Sequence, residues 1–302
     1  MDEEKSIIKH LVVSGGGTYG LSAYGALREL NQHGFWELSN IQSCHATSIG
    51  TIILVMILCN YEWDVLDDFI IKRPWNTVFK FDISKIFDVI DNGGVFDQSV
   101  VFNALKPIFA GVDMEMDITM KEFYEKTGVE FYIYSVEINA FELDCISHKT
   151  YPNMSLIDAC YASCSLPILF KPLTFENKSY VDGGIFLNYP ILECLNTMNA
   201  DPNEVLGIRK IIVDEKPGSD LINSFNLLEY VMYLLKNIMK KINVDIDDTN
   251  CNYENEIYIQ MESITFESIS NFATSEDYRK KLISIGVEKA SEFLHPAKND
   301  SK

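Results

Sequence analysis

Two consecutive strand–turn–helix units in the first sixty residues constrain the fold more than any other feature of the sequence. The first unit begins with an apolar segment over 7–13. It continues through the turn Ser14-Gly15-Gly16-Gly17-Thr18-Tyr19-Gly20 into a helical pattern over 21–33, which Gly34 ends. Glycine is common just after a helix because it adopts the left-handed backbone conformation without strain.

The second unit repeats this order with a serine at the turn. A short strand pattern over 41–46 leads through Ser48 into an apolar helix over 49–60. Strands that alternate with helices are typical of α/β proteins with a parallel sheet. We therefore predict an α/β fold of three layers, α/β/α, with a mainly parallel central sheet.

The rest of the chain continues without a linker that would divide it. A strand over 130–139 is rich in Tyr, Phe, Ile and Val and is followed by a hairpin partner over 142–147. Further predicted elements are helices over 155–163, 221–242 and 275–294, and strands over 179–181, 205–213 and 256–261. We predict a single catalytic domain over 1–302, with a motif-bearing core over about 9–191, C-terminal elements over 192–295 and a polar tail over 296–302.

The charge balance excludes one large class of function. Lys and Arg total 25 against 44 Asp and Glu, which gives a net charge of −19. A nucleic-acid binder needs a basic surface for phosphate contacts, so we expect no nucleic-acid partner. The seven cysteines lack the spacing of zinc ligands. The N-terminal residues lack a secretory signal. The apolar run over 49–59 is too short to span a bilayer. These features predict a cytoplasmic protein.

The glycine turn is the first of three candidate functional motifs. Several backbone N–H groups at a helix N-terminus can bind a phosphate or stabilise an oxyanion. Gly15, Gly17 and Gly20 also fit a dinucleotide fingerprint, but its acidic partner should end the second strand, whereas Glu37 precedes that strand. A tight turn with no ligand is a further interpretation that stays open on this motif alone.

The second motif is Ala46-Thr47-Ser48-Ile49-Gly50, and the third is the turn Asp182-Gly183-Gly184 after a strand. A serine between a strand and a helix, flanked by small residues, is the arrangement of a nucleophile elbow. Alone, Ser48 could simply cap the following helix, and the Asp182 turn could be only structural.

Together the three motifs resemble those of the patatin-like phospholipase family. The segment 21–27 resembles the first helix of that family, Gly94-Val95-Phe96-Asp97 resembles its internal Gly-Leu-Phe-Asp-type turn, and 162–172 resembles its segment Ala-Ser-x-Ala-x-Pro followed by Phe-x-Pro. The resemblance covers about residues 9–191 in order.

The resemblance implies a serine acyl hydrolase that acts on phospholipids or other lipid esters without a cofactor or metal ion. Ser48 would be the nucleophile and Asp182 the general base, with no obligatory histidine. The oxyanion hole would consist of the N–H groups of Gly15, Gly16, Gly17 and Thr18, and the elbow and turn would be supported by Ala46, Gly50, Gly183 and Gly184. A transient contact with a membrane surface is expected of an enzyme with such a substrate.

Two positions depart from the family pattern. Tyr19 stands where the family usually has Arg or Lys, and Ala46 replaces the first glycine of the elbow. The leading alternative is therefore a catalytically inactive patatin-like protein that binds lipid or protein. A dinucleotide-dependent oxidoreductase is a more distant alternative.

Three other features are expected to be structural. His295, which would complete an α/β-hydrolase triad in chain order, precedes Pro296 at the start of the polar tail, and His45 lies within a strand. The helix over 221–242 has a broad apolar face, which we expect to pack in the core rather than dock on a membrane.

Overall fold

The computed structural model describes residues 6–80, 93–213, 227–247, 253–262 and 264–296. In chain order the strands in these ranges are β1 (His10–Val13), β2 (Ser43–Thr47), β3 (Gly94–Phe96), β4 (Glu130–Glu137), β5 (Glu142–Ile146), β6 (Ile168–Phe170), β7 (Leu173–Phe175), β8 (Lys178–Asp182), β9 (Val205–Ile212) and β10 (Glu256–Met261). The α-helices are α1 (Gly20–Gln32), α2 (Ile49–Leu58), α3 (Trp63–Lys72), α4 (Ser99–Ala110), α5 (Met120–Thr127), α6 (Leu156–Cys164), α7 (Ile191–Met198), α8 (Leu227–Asp247), α9 (Phe266–Thr274) and α10 (Glu276–Leu294).

The main sheet is mostly parallel, as predicted. Its strand order is β10-β9-β1-β2-β4-β8-β7, and β5 also pairs with β4. All pairings from β10 to β4 are parallel, whereas β5, β8 and β7 join antiparallel. The strands β3 and β6 form a separate small parallel sheet.

Strand β1 shows why both faces of this sheet must be covered. Successive side chains of a strand point to opposite faces. Leu11 and Val13 join the large hydrophobic cluster that contains α1 and α2, whereas Val12 packs with Ile191 and Cys194 of α7. Apolar side chains on both faces explain the continuous apolar pattern of β1, and they produce the predicted α/β/α layers.

The pairing register of β4 brings two distant strands end to end. Residues 133–137 of β4 pair with β5, so the edge facing β5 is occupied there. Strand β2 pairs with 130–134 and β8 with 135–137, and both ranges overlap the β5 pairing. Both strands must therefore lie on the opposite edge of β4. The C-terminal ends of β2 and β8 meet at that edge, between Tyr134 and Ser135.

Helix α10 packs closely against α1 through glycines. A Cβ atom at Gly286 would lie 1.8 Å from the carbonyl oxygen of Ser22, and one at Gly25 would lie 2.2 Å from that of Ile283. Only glycine permits such backbone contact. The last described helix thus supports the helix that follows the glycine turn.

Several sequence predictions need correction or lie outside the described residues. The short strands β3, β6 and β7 and the helices α7 and α9 were not predicted. The long helix begins at Leu227, and residues 221–226, like 297–302 of the predicted tail, are outside the described ranges. Its predicted core packing is wrong for one face, because Leu227 is 76% exposed and Ile238 is 53% exposed. An apolar stripe indicates a face of a helix but does not specify what that face contacts.

Among the described helices, none is both long and apolar enough to cross a membrane.

Candidate active site

The backbone at Ser48 has the sharp turn of a nucleophile elbow. Its φ of 53° lies in the left-handed region, which non-glycine residues adopt at a cost in energy. The Ser48 N–H donates to Ser163 Oγ at 2.8 Å, and that hydroxyl donates in turn to the Tyr134 carbonyl oxygen. Thr51 Oγ1 donates to the Ser48 carbonyl oxygen at 2.7 Å. These bonds hold the strained turn between β2 and α2.

Small residues around the elbow are required by close backbone packing. A Cβ atom at Gly50 would lie 2.7 Å from the carbonyl oxygen of Val13, so a larger residue would separate α2 from β1. Ala46 is fully buried in the large hydrophobic cluster. The methyl group in place of the usual first glycine is thus part of the core.

The side chain of Ser48 does not cap α2. Its Oγ instead donates to Asp182 Oδ2 at 2.6 Å. The other carboxylate oxygen, Oδ1, accepts the Gly184 N–H at 2.7 Å. Asp182 is 4% exposed, and this burial raises its pKa to about 6, although the bonds from Ser48 and Gly184 oppose the shift. The structure therefore brings Ser48 and Asp182 together with a carboxylate that accepts a proton more readily than an ordinary aspartate.

Glycine is favoured at both positions after Asp182 because neighbouring groups leave little room for a side chain. A Cβ at Gly183 would lie 2.2 Å from the carbonyl oxygen of Tyr134 in β4. A Cβ at Gly184 would lie 3.0 Å from Asp182 Oδ1 and 3.0 Å from Asn188 Oδ1. Glycine at both positions lets the turn fold back against β4 while its N–H reaches the carboxylate.

The glycine turn lies directly beside Ser48. A Cβ at Gly15 would be 3.0 Å from Ser48 Cβ, and Gly17 has a φ of 59°. The Gly15 N–H is already bonded to the Asn188 carbonyl oxygen at 3.0 Å. Within the described part of the chain, the N–H groups of Gly16, Gly17 and Thr18 have no acceptor. Of the four predicted oxyanion donors, these three are available.

Ser48 and Asp182 lie in the wall of a large and mainly apolar cavity of about 760 Å³. Such a volume is within the usual range for small-molecule sites. Its wall includes Ser48, Asp182 and the glycine turn, together with apolar side chains of α2, α4 and α8 that include Ile52, Ile53, Met56, Val100, Val101 and Met232. The cavity can accommodate a flexible hydrocarbon chain next to the serine hydroxyl.

Neither candidate histidine lies in the wall of this cavity. His45 is buried in β2, where its Nδ1 is 3.0 Å from the Tyr134 hydroxyl and its ring stacks on Tyr132. Burial lowers the pKa of His45 to about 3. His295 follows α10 and packs edge-on to His33. Both positions agree with the expected structural roles.

Three residues at the site escaped prediction from the sequence because no local motif marks them. Asn188 bonds the glycine turn, and Asn243 of α8 bonds the Asp182 turn. Lys210 of β9 places its Nζ 3.5 Å from the Gly16 carbonyl oxygen and over the ring of Tyr19, at 5.1 Å from the centroid. Lys210 of β9 thus places a cation beside Tyr19. In the pattern of the patatin-like family, the Arg or Lys usually stands in the turn itself, at the position of Tyr19.

Comparison with known proteins agrees with this geometry. The model of the patatin-like phospholipase family matches residues 11–195. Probable lipid hydrolase 463L of Invertebrate iridescent virus 6 is 28% identical over 185 residues, which cover 61% of this chain and 62% of that protein. Triacylglycerol lipase 4 of Saccharomyces cerevisiae is 29% identical over 220 residues, which cover 63% of this chain and 23% of that protein. The chain thus spans less than two thirds of either relative.

A solved structure shows the same fold. VipD from Legionella pneumophila matches with a TM-score of 0.54 at 14% sequence identity, and the match covers 96% of this chain and 67% of VipD. The family match includes the glycine turn, the elbow at Ser48 and the turn at Asp182, and it extends over more than half of the chain. The chain therefore belongs to the patatin-like phospholipase family of lipid hydrolases.

Proposed function

We propose that this chain is a serine acyl hydrolase that cleaves fatty-acyl esters of glycerophospholipids through Ser48 and Asp182. The observation that carries the proposal is the 2.6 Å hydrogen bond from Ser48 Oγ to Asp182 Oδ2 within the apolar cavity. A serine hydroxyl becomes a nucleophile when a neighbouring base accepts its proton. No imidazole stands between the two side chains.

In the first half of the reaction, Ser48 Oγ attacks the ester carbonyl carbon while Asp182 takes the hydroxyl proton. The negative charge that develops on the carbonyl oxygen is stabilised by the N–H groups of Gly16, Gly17 and Thr18. When the tetrahedral intermediate collapses, the bond to the alcohol breaks and Asp182 returns its proton to the leaving oxygen. The products are a lysolipid and an acyl ester on Ser48.

In the second half, a water molecule takes the place of the alcohol. Asp182 accepts a proton from the water as its oxygen attacks the acyl carbon. The second tetrahedral intermediate then releases the fatty acid, and the proton passes to Ser48 Oγ. The free enzyme is restored with no net change in the protein.

The polar part of the cavity wall supports a phospholipid substrate. Arg209, Lys210, Lys236 and Lys240 line this cavity although the chain carries a net charge of −19. Cationic side chains in the wall of an apolar cavity suit a lipid with an anionic phosphate. Two relatives are named as a lipid hydrolase and a triacylglycerol lipase, so neutral lipid esters are the comparison substrate in any assay.

We also propose that the outer face of α8 contacts the lipid surface from which the substrate is taken. The inner face of this helix lines the cavity through Met232, Lys236 and Met239. The outer face exposes a stripe of apolar side chains, namely Leu227, Val231, Leu234, Ile238 and Ile242. A helix with apolar residues at such spacing, and with a lysine such as Lys241 beside them, can lie in a membrane interface. A lipid could then pass from that surface to Ser48.

The proposed function is tested by labelling with a lipid-like fluorophosphonate and by substitution of the nucleophile. We expect the label on Ser48 and the loss of more than 99% of esterase turnover in Ser48→Ala, with the fold intact by circular dichroism. Ser284→Ala, an exposed serine on α10, should keep full activity. Turnover of phosphatidylcholine should exceed that of triacylglycerol.

Two outcomes would contradict the proposal. If Ser48→Ala retained more than a few per cent of turnover, another nucleophile would be responsible. If the wild-type protein bound lipid vesicles but neither hydrolysed esters nor reacted with the fluorophosphonate, it would be the inactive lipid-binding relative weighed above.

A further inference from the structure

A single side chain of α8, Asn243, connects the two loops of the proposed active site. Its Oδ1 accepts the Asn188 backbone N–H at 2.8 Å. Its Nδ2 donates to the Gly184 carbonyl oxygen at 3.0 Å and to the Met239 carbonyl oxygen at 2.8 Å. A carboxamide has one oxygen acceptor and two N–H donors, so both ends of this group are in use. The reverse orientation would place Nδ2 against an N–H and Oδ1 against two carbonyl oxygens, so these partners fix the direction of the amide.

One arm of this connection reaches the oxyanion donors. The Asn188 carbonyl oxygen accepts the Gly15 N–H at 3.0 Å, and Asn188 Nδ2 lies 3.4 Å from the Gly15 carbonyl oxygen. Gly15 immediately precedes the three available N–H groups. A shift of Asn188 would therefore move the oxyanion donors relative to Ser48.

The other arm reaches the base. The Gly184 carbonyl oxygen bonds to Asn243, and the Gly184 N–H bonds to Asp182 Oδ1 at 2.7 Å. The second bond orients the carboxylate so that Oδ2 faces Ser48. Asn243 thus acts on both the proton acceptor and the oxyanion hole without touching the reacting atoms.

We propose that Asn243 is a positioning residue that fixes the glycine turn and the Asp182 turn relative to each other. The proposal rests on the proposed function, because it assigns a role in the same reaction. A displacement of reacting groups by about 1 Å can lower a rate by about 100-fold. Loss of Asn243 should therefore slow the chemical step and leave substrate binding nearly unchanged.

The test compares Asn243→Leu with a matched control on the same helix. Asn237 Nδ2 also donates to the carbonyl oxygen four residues earlier, that of Tyr233, but Asn237 is exposed. With a soluble ester, we expect Asn243→Leu to lower kcat by about 10- to 100-fold with KM within about threefold of wild type. Asn237→Leu should keep kcat within about twofold.

Fluorophosphonate labelling separates mispositioning from misfolding. In Asn243→Leu the label should attach to Ser48 more slowly but reach the same final fraction as in wild type. An unchanged kcat, an equal loss in Asn237→Leu, or a fall in the final labelled fraction that accounts for the whole loss of turnover would each overturn the proposal. Should Asn243→Leu fail to fold, Asn243→Ala carries the same test with a smaller side chain. An active Ser48→Ala would refute the proposed function, whereas an inactive Ser48→Ala with fully active Asn243 variants would refute this inference alone.

Discussion

Asp182 is the residue whose ionisation should control both the rate and the stability of the protein. Burial raises the pKa of this carboxyl to about 6, and only its ionised form can accept the Ser48 proton. With a soluble ester, kcat/KM should therefore rise with pH up to about 6, level off above it, and fall by about tenfold per pH unit well below it. A pH–rate profile between pH 4 and 9 measures this. A rate that is constant between pH 5 and 7 would contradict the role of Asp182.

The same ionisation that should raise the rate should lower the free energy of unfolding. Because the pKa of Asp182 is higher in the folded protein than the ordinary value of 3.8, the folded state binds this proton more tightly than the unfolded state. The contribution of Asp182 to stability thus falls as pH rises from about 4 to 6, and above that range the buried charge costs on the order of 3 kcal/mol. Asp182→Asn should be inactive but about 1–3 kcal/mol more stable at pH 7 in urea unfolding, with the gain vanishing near pH 4. Asp67→Asn, which removes a carboxylate bonded to Tyr24 and Arg28, should instead destabilise the protein.

At the level of single residues, the sequence marks as candidates only those that carry a local pattern. Ser48 follows a strand and precedes an apolar helix, and Asp182 ends a strand before two glycines. Asn188 and Asn243 could not be predicted in this way, because their bonds to the glycine turn and to Gly184 join residues 173 and 59 positions apart. Such partners become visible only once the chain is folded.

At the level of elements, α8 provides a test of the contact with a lipid surface. Ile238→Glu places a charge on the exposed apolar stripe, where burial of the isoleucine in a lipid surface would contribute about 1.5–3 kcal/mol. Hydrolysis in phosphatidylcholine vesicles should fall by at least about tenfold, whereas hydrolysis of a soluble ester should stay within twofold. Val65→Glu, at a residue of α3 that is 49% exposed, serves as the control and should leave both activities unchanged. If both assays declined equally in Ile238→Glu, the effect would lie in the fold and not in surface contact.

The elements predicted most accurately are those with long, regular patterns. The strand β10 and the start of α2 agree with the predicted positions, and the hairpin of β4 and β5 is antiparallel as expected. The three-residue strands β3 and β6 are too short for a periodic pattern, and they are strands only because they pair with each other. The predicted core packing of α8 is wrong for its outer face, because an apolar face can lie against a core or remain exposed.

At the level of the whole molecule, the contact between α1 and α10 links the end of the described chain to its beginning. By helix propensity alone, Gly286→Ala would stabilise α10 by about 1 kcal/mol. The added methyl group would instead lie 1.8 Å from the Ser22 carbonyl oxygen, so the two helices must separate. We expect a net loss of about 2 kcal/mol or more in urea unfolding. Ser284→Ala, two residues away and exposed, should change stability by less than about 0.5 kcal/mol, and a stable Gly286→Ala would show that this contact can relax.

The meeting of β2 and β8 on one edge of β4 has a consequence for how the proposed dyad responds to motion. Ser48 is tied to the Tyr134 carbonyl oxygen through Ser163, whereas Asp182 pairs with Ser135, the next residue of β4. One peptide unit thus serves as a common reference for both reacting groups. We expect both side chains to move with that unit when the sheet twists, so that their separation changes little when the cavity walls move. If lipid chains bind there as proposed, we expect chains of different length and shape to deform the cavity without altering the alignment of Ser48 and Asp182.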